Sequence, residues 1–143
     1  MPDAAGFTEQ VSALAGAGWP VDSRTLTRAL YSSDASLYRV PPAAVSRPAS
    51  VPELVEVVDA ARAAGLPVTT RGAGTSIAGN AVGTGLILDS TRLSRIAHLD
   101  PITKAAIVEP GVIPARLTAA AARHGLRFGP DPSTSDRCTI GGM

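Results

Sequence analysis

The residues best placed to do chemistry run from Arg71 to Gly85, Arg-Gly-Ala-Gly-Thr-Ser-Ile-Ala-Gly-Asn-Ala-Val-Gly-Thr-Gly. Between Gly72 and Leu88 there is no charged side chain, yet there are five glycines. A loop this long without structure of its own is functional or disordered, and the β-forming residues on both sides favour function. Glycine lets the backbone reach φ > 0 and approach a ligand closely. Successive N–H groups in such a turn form an anion-binding nest. Thr75, Ser76 and Asn80 add neutral donors, and Arg71 at the loop mouth adds positive charge. This set suits a phosphate or pyrophosphate. A Walker loop requires Gly-Lys-Ser/Thr, and no glycine here precedes a lysine. The Rossmann fingerprint G-x-G-x-x-G/A is met by Gly72 and Gly74 but has Ile77 at its third position, followed by more glycine instead of a helix.

The flanking elements must position this loop. Ala44-Val45-Ser46 reads as a short strand at a sheet edge. Ser50-Val51-Pro52-Glu53 is a capping box, with proline tolerated in the first turn. Val51, Leu54, Val55 and Val58 then recur at helical spacing as one apolar face, and Gly65 stops the helix. Leu66–Thr70 is β-rich, so strand, helix and strand predict a parallel β–α–β unit. Leu86–Asp89 reads as a buried strand. Ile96–Leu99 and Lys104–Glu109 read as two strands around an Asp100-Pro101 turn. Pro114 opens a helix through Arg123 that Gly125 ends. Upstream, Thr8–Gly16 is weakly helical, and a second helix spans Ser23–Tyr31 with Asp22 or Ser23 as cap. Ser32–Pro42 is irregular chain, and Phe128–Ser135 is a loop stiffened by Pro130 and Pro132.

Composition bounds the function. The chain has 143 residues, 45% apolar and 17% charged, with a net charge of +1. These values fit one folded domain and exclude disorder driven by charge. So small a net charge supplies no field for nucleic acid or anionic lipid, and 3% aromatics leave few stacking platforms for single strands. One cysteine, Cys138, excludes a disulfide framework and a multi-thiolate zinc site. Beside β-forming residues it reads as a small buried hydrophobe. His98 and His124 lack metal-spaced partners, so no metal site is expected, and His124 reads as a charge suited to a helix C-terminus. No signal peptide and no apolar stretch of spanning length are seen, predicting a cytoplasmic protein. The end at Thr139-Ile140-Gly141-Gly142-Met143, apolar and without a helix stop, predicts an interrupted, longer protein.

Two blocks together carry a family resemblance. Arg71-Gly-Ala-Gly-Thr-Ser-Ile-Ala-Gly79 resembles the pyrophosphate loop of the vanillyl-alcohol-oxidase, or PCMH-type, flavoproteins, within them the FAD-linked branch of glycolate oxidase and D-lactate dehydrogenase. Phe128-Gly-Pro-Asp-Pro-Ser-Thr-Ser-Asp-Arg-Cys-Thr-Ile-Gly-Gly-Met143 is similar to a second family block, and Tyr31-Ser-Ser-Asp-Ala-Ser-Leu-Tyr38 to the stretch ahead of its first strand. The resemblance implies an α+β fold: a PCMH-type FAD-binding domain with an N-terminal β–α–β subdomain running into a mixed sheet with helices. Residues 1–30 would be an N-terminal helical segment and 31–143 the first part of the FAD-binding domain.

The resemblance also implies roles. Arg71, Gly72, Ala73, Gly74, Thr75 and Ser76 would wrap the FAD pyrophosphate, and Gly79 and Asn80 would continue that wall. Pro130, Asp131, Pro132, Ser133 and Thr134 would form a second loop near the flavin, with Asp131 either touching it or serving as turn chemistry. Thr139, Gly141 and Gly142 would let the chain pass close to the cofactor. Thr75 stands where branches with covalent flavin carry histidine, implying dissociable, non-covalent FAD. The parent reaction would be oxidation of a small 2-hydroxy acid, with hydride passing from its carbon to flavin N5, the substrate held by a further domain and an iron–sulfur domain or subunit present in some members. No catalytic residue is expected in this chain. Three readings stay open: a fragment of such a dehydrogenase, a short protein that only binds FAD or a related nucleotide, and an interaction domain without cofactor.

Overall fold

The computed structural model describes residues 4–143. After a single 3-10 turn at Ala4–Phe7 the elements are α1 (Thr8–Gly16), β1 (Val21–Asp22), α2 (Thr25–Leu30), β2 (Ala44–Ser46), α3 (Val51–Ala63), β3 (Val68–Arg71), β4 (Leu86–Asp89), β5 (Ile96–Asp100), β6 (Ala105–Val108), α4 (Pro114–Ala122) and a closing 3-10 turn at Ile140–Gly142.

Four strands form one mixed sheet in the order β1-β2-β4-β3. β4 pairs in parallel with both β2 and β3, with Val45 and Thr69 each opposite Ile87. β1 adds antiparallel to β2. The β2–α3–β3 unit is therefore the expected β–α–β crossover with one difference: β4 is inserted between its two strands. A second, two-stranded sheet joins β5 and β6 antiparallel, and the Asp100 carboxylate closes its turn by accepting from the Ile102 and Thr103 N–H groups.

Burial explains the arrangement. Leu86, Ile87 and Leu88 of β4 are fully enclosed, as a continuous apolar run buried on both sheet faces must be. On one side Leu86 and Leu88 join Ala44, Val57, Ala61 and Leu66 in a core that also takes Phe7, Val11 and Leu14 from the N-terminal segment. Burying a side chain such as Val57 is worth about 1.5–3 kcal/mol. Among the described residues no helix is long and apolar enough to cross a membrane.

Three local expectations are corrected. The strand at Ala44–Ser46 is internal to the sheet, since β1 covers the side that the sequence left open. The apolar face of α3 is rotated: Val57 and Ala61 are buried with Leu54 and Val58 packed beside them, whereas Val51 and Val55 are about half exposed. Both sets share helical spacing, and the position of β4 selects between them. The second helix is shorter than Ser23–Tyr31, because Asp22 joins β1. Its carboxylate accepts from the Arg24 N–H and the Thr27 hydroxyl instead of capping directly. The capping box holds on one arm, with the Glu53 N–H donating to Ser50 Oγ at 3.3 Å. The Glu53 carboxylate reaches back one residue further than the motif requires, accepting from the Ala49 N–H at 2.8 Å.

Candidate functional site

The loop after β3 and the segment after residue 131 meet at the C-terminal ends of β3 and β4, where open α/β sheets bind ligands. Between them lies a cleft of about 520 Å3. Of the sixteen residues named from sequence, twelve line it: Arg71, Gly72, Ala73, Gly74, Thr75, Ser76, Asn80, Pro132, Thr134, Thr139, Gly141 and Gly142. Gly79, Pro130, Asp131 and Ser133 are not among its walls. Thr70, Ile77, Ala78, Ala81, Ser90, Cys138 and Met143 also line it and escaped the sequence reading as site residues. Cys138 is buried, as a small hydrophobe would be.

Contact between the two segments is intimate at one point. A Cβ added to Gly72 would lie 2.0 Å from Thr139 Oγ1 and 3.2 Å from Thr139 Cβ. The segment carrying Thr139 is itself pinned from behind, as the Ile140 and Gly141 N–H groups donate to the carbonyls of Val112 and Pro110 at 2.8 Å each. Gly74 sits at φ +70°, and a Cβ there would meet the Arg71 guanidinium at 2.4 Å. Its glycine is thus required twice, by backbone and by space.

Arg71 does more than present charge. Its Nη1 donates to the carbonyls of Ser33 at 2.9 Å and Ala81 at 3.1 Å, and its guanidinium stacks over the Tyr31 ring at 5.1 Å. Residues 33–38 brace the loop from outside. The Ala35 N–H donates to the Gly74 carbonyl at 3.1 Å, the Ala81 N–H donates to Asp34 at 3.3 Å, and the Tyr38 ring packs against Gly79. Burial works to raise the Asp34 carboxyl, but hydrogen bonds from Ser36 and Ala81 and the charge of Arg71 outweigh it and leave it below the usual carboxylate range. The Tyr31 hydroxyl donates to Asp89, a buried carboxylate that also accepts from the Thr91 N–H and hydroxyl. Burial, then that bond, pushes the Tyr31 phenol up to about 12. The sequence pointed to the stretch 31–38 without a role; its partners are remote along the chain and left no local signal.

The donors fit a diphosphate. The amides of residues 72–77, all lining the cleft, donate to no protein acceptor among the described residues. Ser76 Oγ instead accepts from the Ala78 and Asn80 N–H groups at 3.2 Å each, which curls the loop. The buried hydroxyl of Thr139 likewise has no partner. Such an orphan is costly unless a ligand meets it. Among the described residues no acidic side chain lines the cleft, and Arg71 is its one charged side chain. Among the described residues no cluster of metal-binding side chains exists.

The fold is that of an α+β domain with a glycine-walled cleft at the ends of its parallel strands. Residues 42–143 match the family described as FAD binding domain, and the chain belongs to that family, with FAD as its cofactor. It is 35% identical over 109 residues to glycolate oxidase subunit GlcD of Escherichia coli strain K12, covering 75% of this chain and 22% of that protein. It is 37% identical over 120 residues to D-2-hydroxyglutarate dehydrogenase of the same organism, covering 81% of this chain and 12% of that protein. The chain thus spans about a fifth or less of the length of these relatives. Among solved structures, alkyldihydroxyacetonephosphate synthase superposes with a TM-score of 0.78 over 94% of this chain and 30% of that one, at 20% identity. The family match and this likeness together show the PCMH-type FAD-binding fold.

Proposed function

We propose that this chain is the pyrophosphate-holding part of a flavin-dependent oxidoreductase that oxidises a small 2-hydroxy acid. The observation that carries the reading is the row of amides at 72–77 without a protein acceptor, in residues that line a cleft with no acidic side chain among the described residues. Gly72, Ala73, Gly74, Thr75 and Ser76 hold the FAD diphosphate by backbone N–H groups, and Arg71 fixes the loop's curvature while adding positive charge to its wall. Thr139 offers its buried hydroxyl from the opposite side, and Pro132, Thr134, Gly141 and Gly142 close the cleft. Asp34 and residues 33–38 keep the loop formed before the cofactor arrives, which lowers the entropy cost of binding. FAD, when bound, supplies a two-electron acceptor for hydride from the substrate carbon. Thr75 offers no ring nitrogen for a covalent link, so the cofactor is dissociable. The substrate class is supported by the names of the two relatives. Residues 31–143 form the cofactor domain in this reading, and the preceding helices brace it.

The test is a titration of the isotope-labelled chain with FAD, followed through its amide resonances. Signals of residues 72–77 should move together and saturate, and Gly74→Val should abolish the response. Amides at 72–77 that stay still while others shift would refute the assignment.

A further inference from the structure

Tyr31 also lines a second cavity of about 430 Å3, bounded by β1, α2, the end of β2 and the residue Arg92 beyond β4. Three arginines, Arg24, Arg47 and Arg92, line it. Each is held by one edge. Arg24 Nε and Nη2 donate to Asp22 at 3.0 and 2.6 Å. Arg47 Nε lies 3.5 Å from Asp89. Arg92 Nη1 donates to the Arg47 carbonyl at 2.9 Å. Their remaining N–H groups have no acceptor among the described residues.

Three guanidinium groups face two carboxylates, Asp22 and Asp89. Among the described residues Asp22 is the one acidic side chain in the wall, and its oxygens are taken by Arg24 and Thr27. Asp89 is not part of the wall; it is enclosed by Tyr31 and Thr91 and lies 3.5 Å from Arg47, so Arg24 and Arg47 each face one carboxylate and Arg92 brings the uncompensated charge. The rest of the lining includes Val21, Leu30 and Val45. A guanidinium is a rigid fork that matches carboxylate and phosphate oxygens, and one anchored at one edge has lost part of its rotamer freedom before any ligand arrives. A cavity of this volume is in the range of small-molecule sites.

We propose that this cavity binds a small organic oxyanion, a carboxylate or phosphate group carried on a short apolar body. The head meets the free edges of Arg24, Arg47 and Arg92, and the body lies on Leu30 and Val45. The site is distinct from the flavin cleft. Tyr31 lies between them, with Arg71 stacked on its ring and its hydroxyl on Asp89, and the inference does not rest on the flavin reading.

The experiment uses the full chain with labelled arginine side chains, titrated separately with inorganic phosphate, hexanoate, acetate and hexanol. The Nε–H signals of Arg47 and Arg92 should shift and saturate with phosphate or hexanoate, and hexanoate should bind more tightly than acetate. Hexanol should leave them in place. A response to phosphate alone assigns the head to phosphate esters, and one to hexanoate alone to carboxylates; either supports the site. Arg92→Gln and, separately, Arg24→Gln should each weaken binding about fivefold or more, the order expected for one charge-assisted hydrogen bond. Both residues are exposed, so folding is retained, and FAD shifts at amides 72–77 in the same variants should be unchanged. Arginine signals that never saturate, or that follow hexanol as readily as hexanoate, would overturn the proposal. So would unaltered affinity in both variants. Failure of FAD to move amides 72–77 would count against the flavin reading alone.

Discussion

Replacing Gly72 by alanine tests the junction on which the cleft depends. The residue does not occupy the left-handed region, so alanine suits its backbone and any cost comes from packing. The new methyl would stand 2.0 Å from Thr139 Oγ1, 3.2 Å from Thr139 Cβ and 3.4 Å from Thr139 Cγ2. Turning the threonine so that its Hβ faces the methyl relieves the Oγ1 contact but leaves Cβ at 3.2 Å, so the cost is that of the forced rotamer together with a small parting of the two segments. Overpacking of this kind costs about 1–3 kcal/mol. Thr139→Ala by itself removes a hydroxyl with no partner in the protein, so it should cost about 1 kcal/mol or less. In the double variant Gly72→Ala/Thr139→Ala only the 3.2 Å contact to Cβ persists, and the loss should fall short of the sum by about 1 kcal/mol or more. Equilibrium urea unfolding of the four proteins measures this coupling, given coincident two-state transitions. A Gly72→Ala penalty that is as large with alanine at 139 as with threonine would refute the argument that these residues hold the cleft together.

Other consequences are simpler to state. In Tyr38→Phe, where Tyr31 is the remaining tyrosine, tyrosinate absorbance should rise with a midpoint of about 12. Because that folded value exceeds the ordinary phenol value of 10.0, the stability Tyr31 supplies is whole below pH 10 and drains away as pH rises to about 12; Tyr31→Phe should flatten that part of the stability profile. Ser50→Ala removes the side-chain acceptor of the Glu53 N–H and should lower stability by about 1 kcal/mol in urea unfolding, and Ser50→Asp should restore most of it. Acid or heat denaturation of the FAD-loaded protein should release all of its flavin into the filtrate, and flavin retained on the denatured chain would contradict a dissociable cofactor.

Much of the site was legible before any coordinates. The glycine loop announced itself through composition: a long uncharged stretch bounded by β-forming segments has few other uses. The strand at Leu86–Asp89 and the ends of α3 were equally plain, since a buried parallel strand is continuously apolar and a capping box is a local signal. The helix face was harder. Val51 and Val55 have the same spacing as Val57 and Ala61, and periodicity does not say which stripe faces the sheet. The roles of Tyr31, Asp34 and Asp89 were invisible, because each acts on a residue distant in sequence.

What the residue order determined alone is therefore local: where helices start and stop, which strand is fully buried, and that an uncharged glycine loop follows β3 with an arginine at its mouth. These depend on interactions within a few residues along the chain. Tertiary structure decided the rest. It inserted β4 between β2 and β3, rotated α3 toward the core, turned Arg71 onto Ser33, Ala81 and Tyr31, and set Thr139 against Gly72. Those outcomes depend on which surfaces meet when apolar area is buried, and contacts between distant segments leave no pattern in the neighbours of either residue.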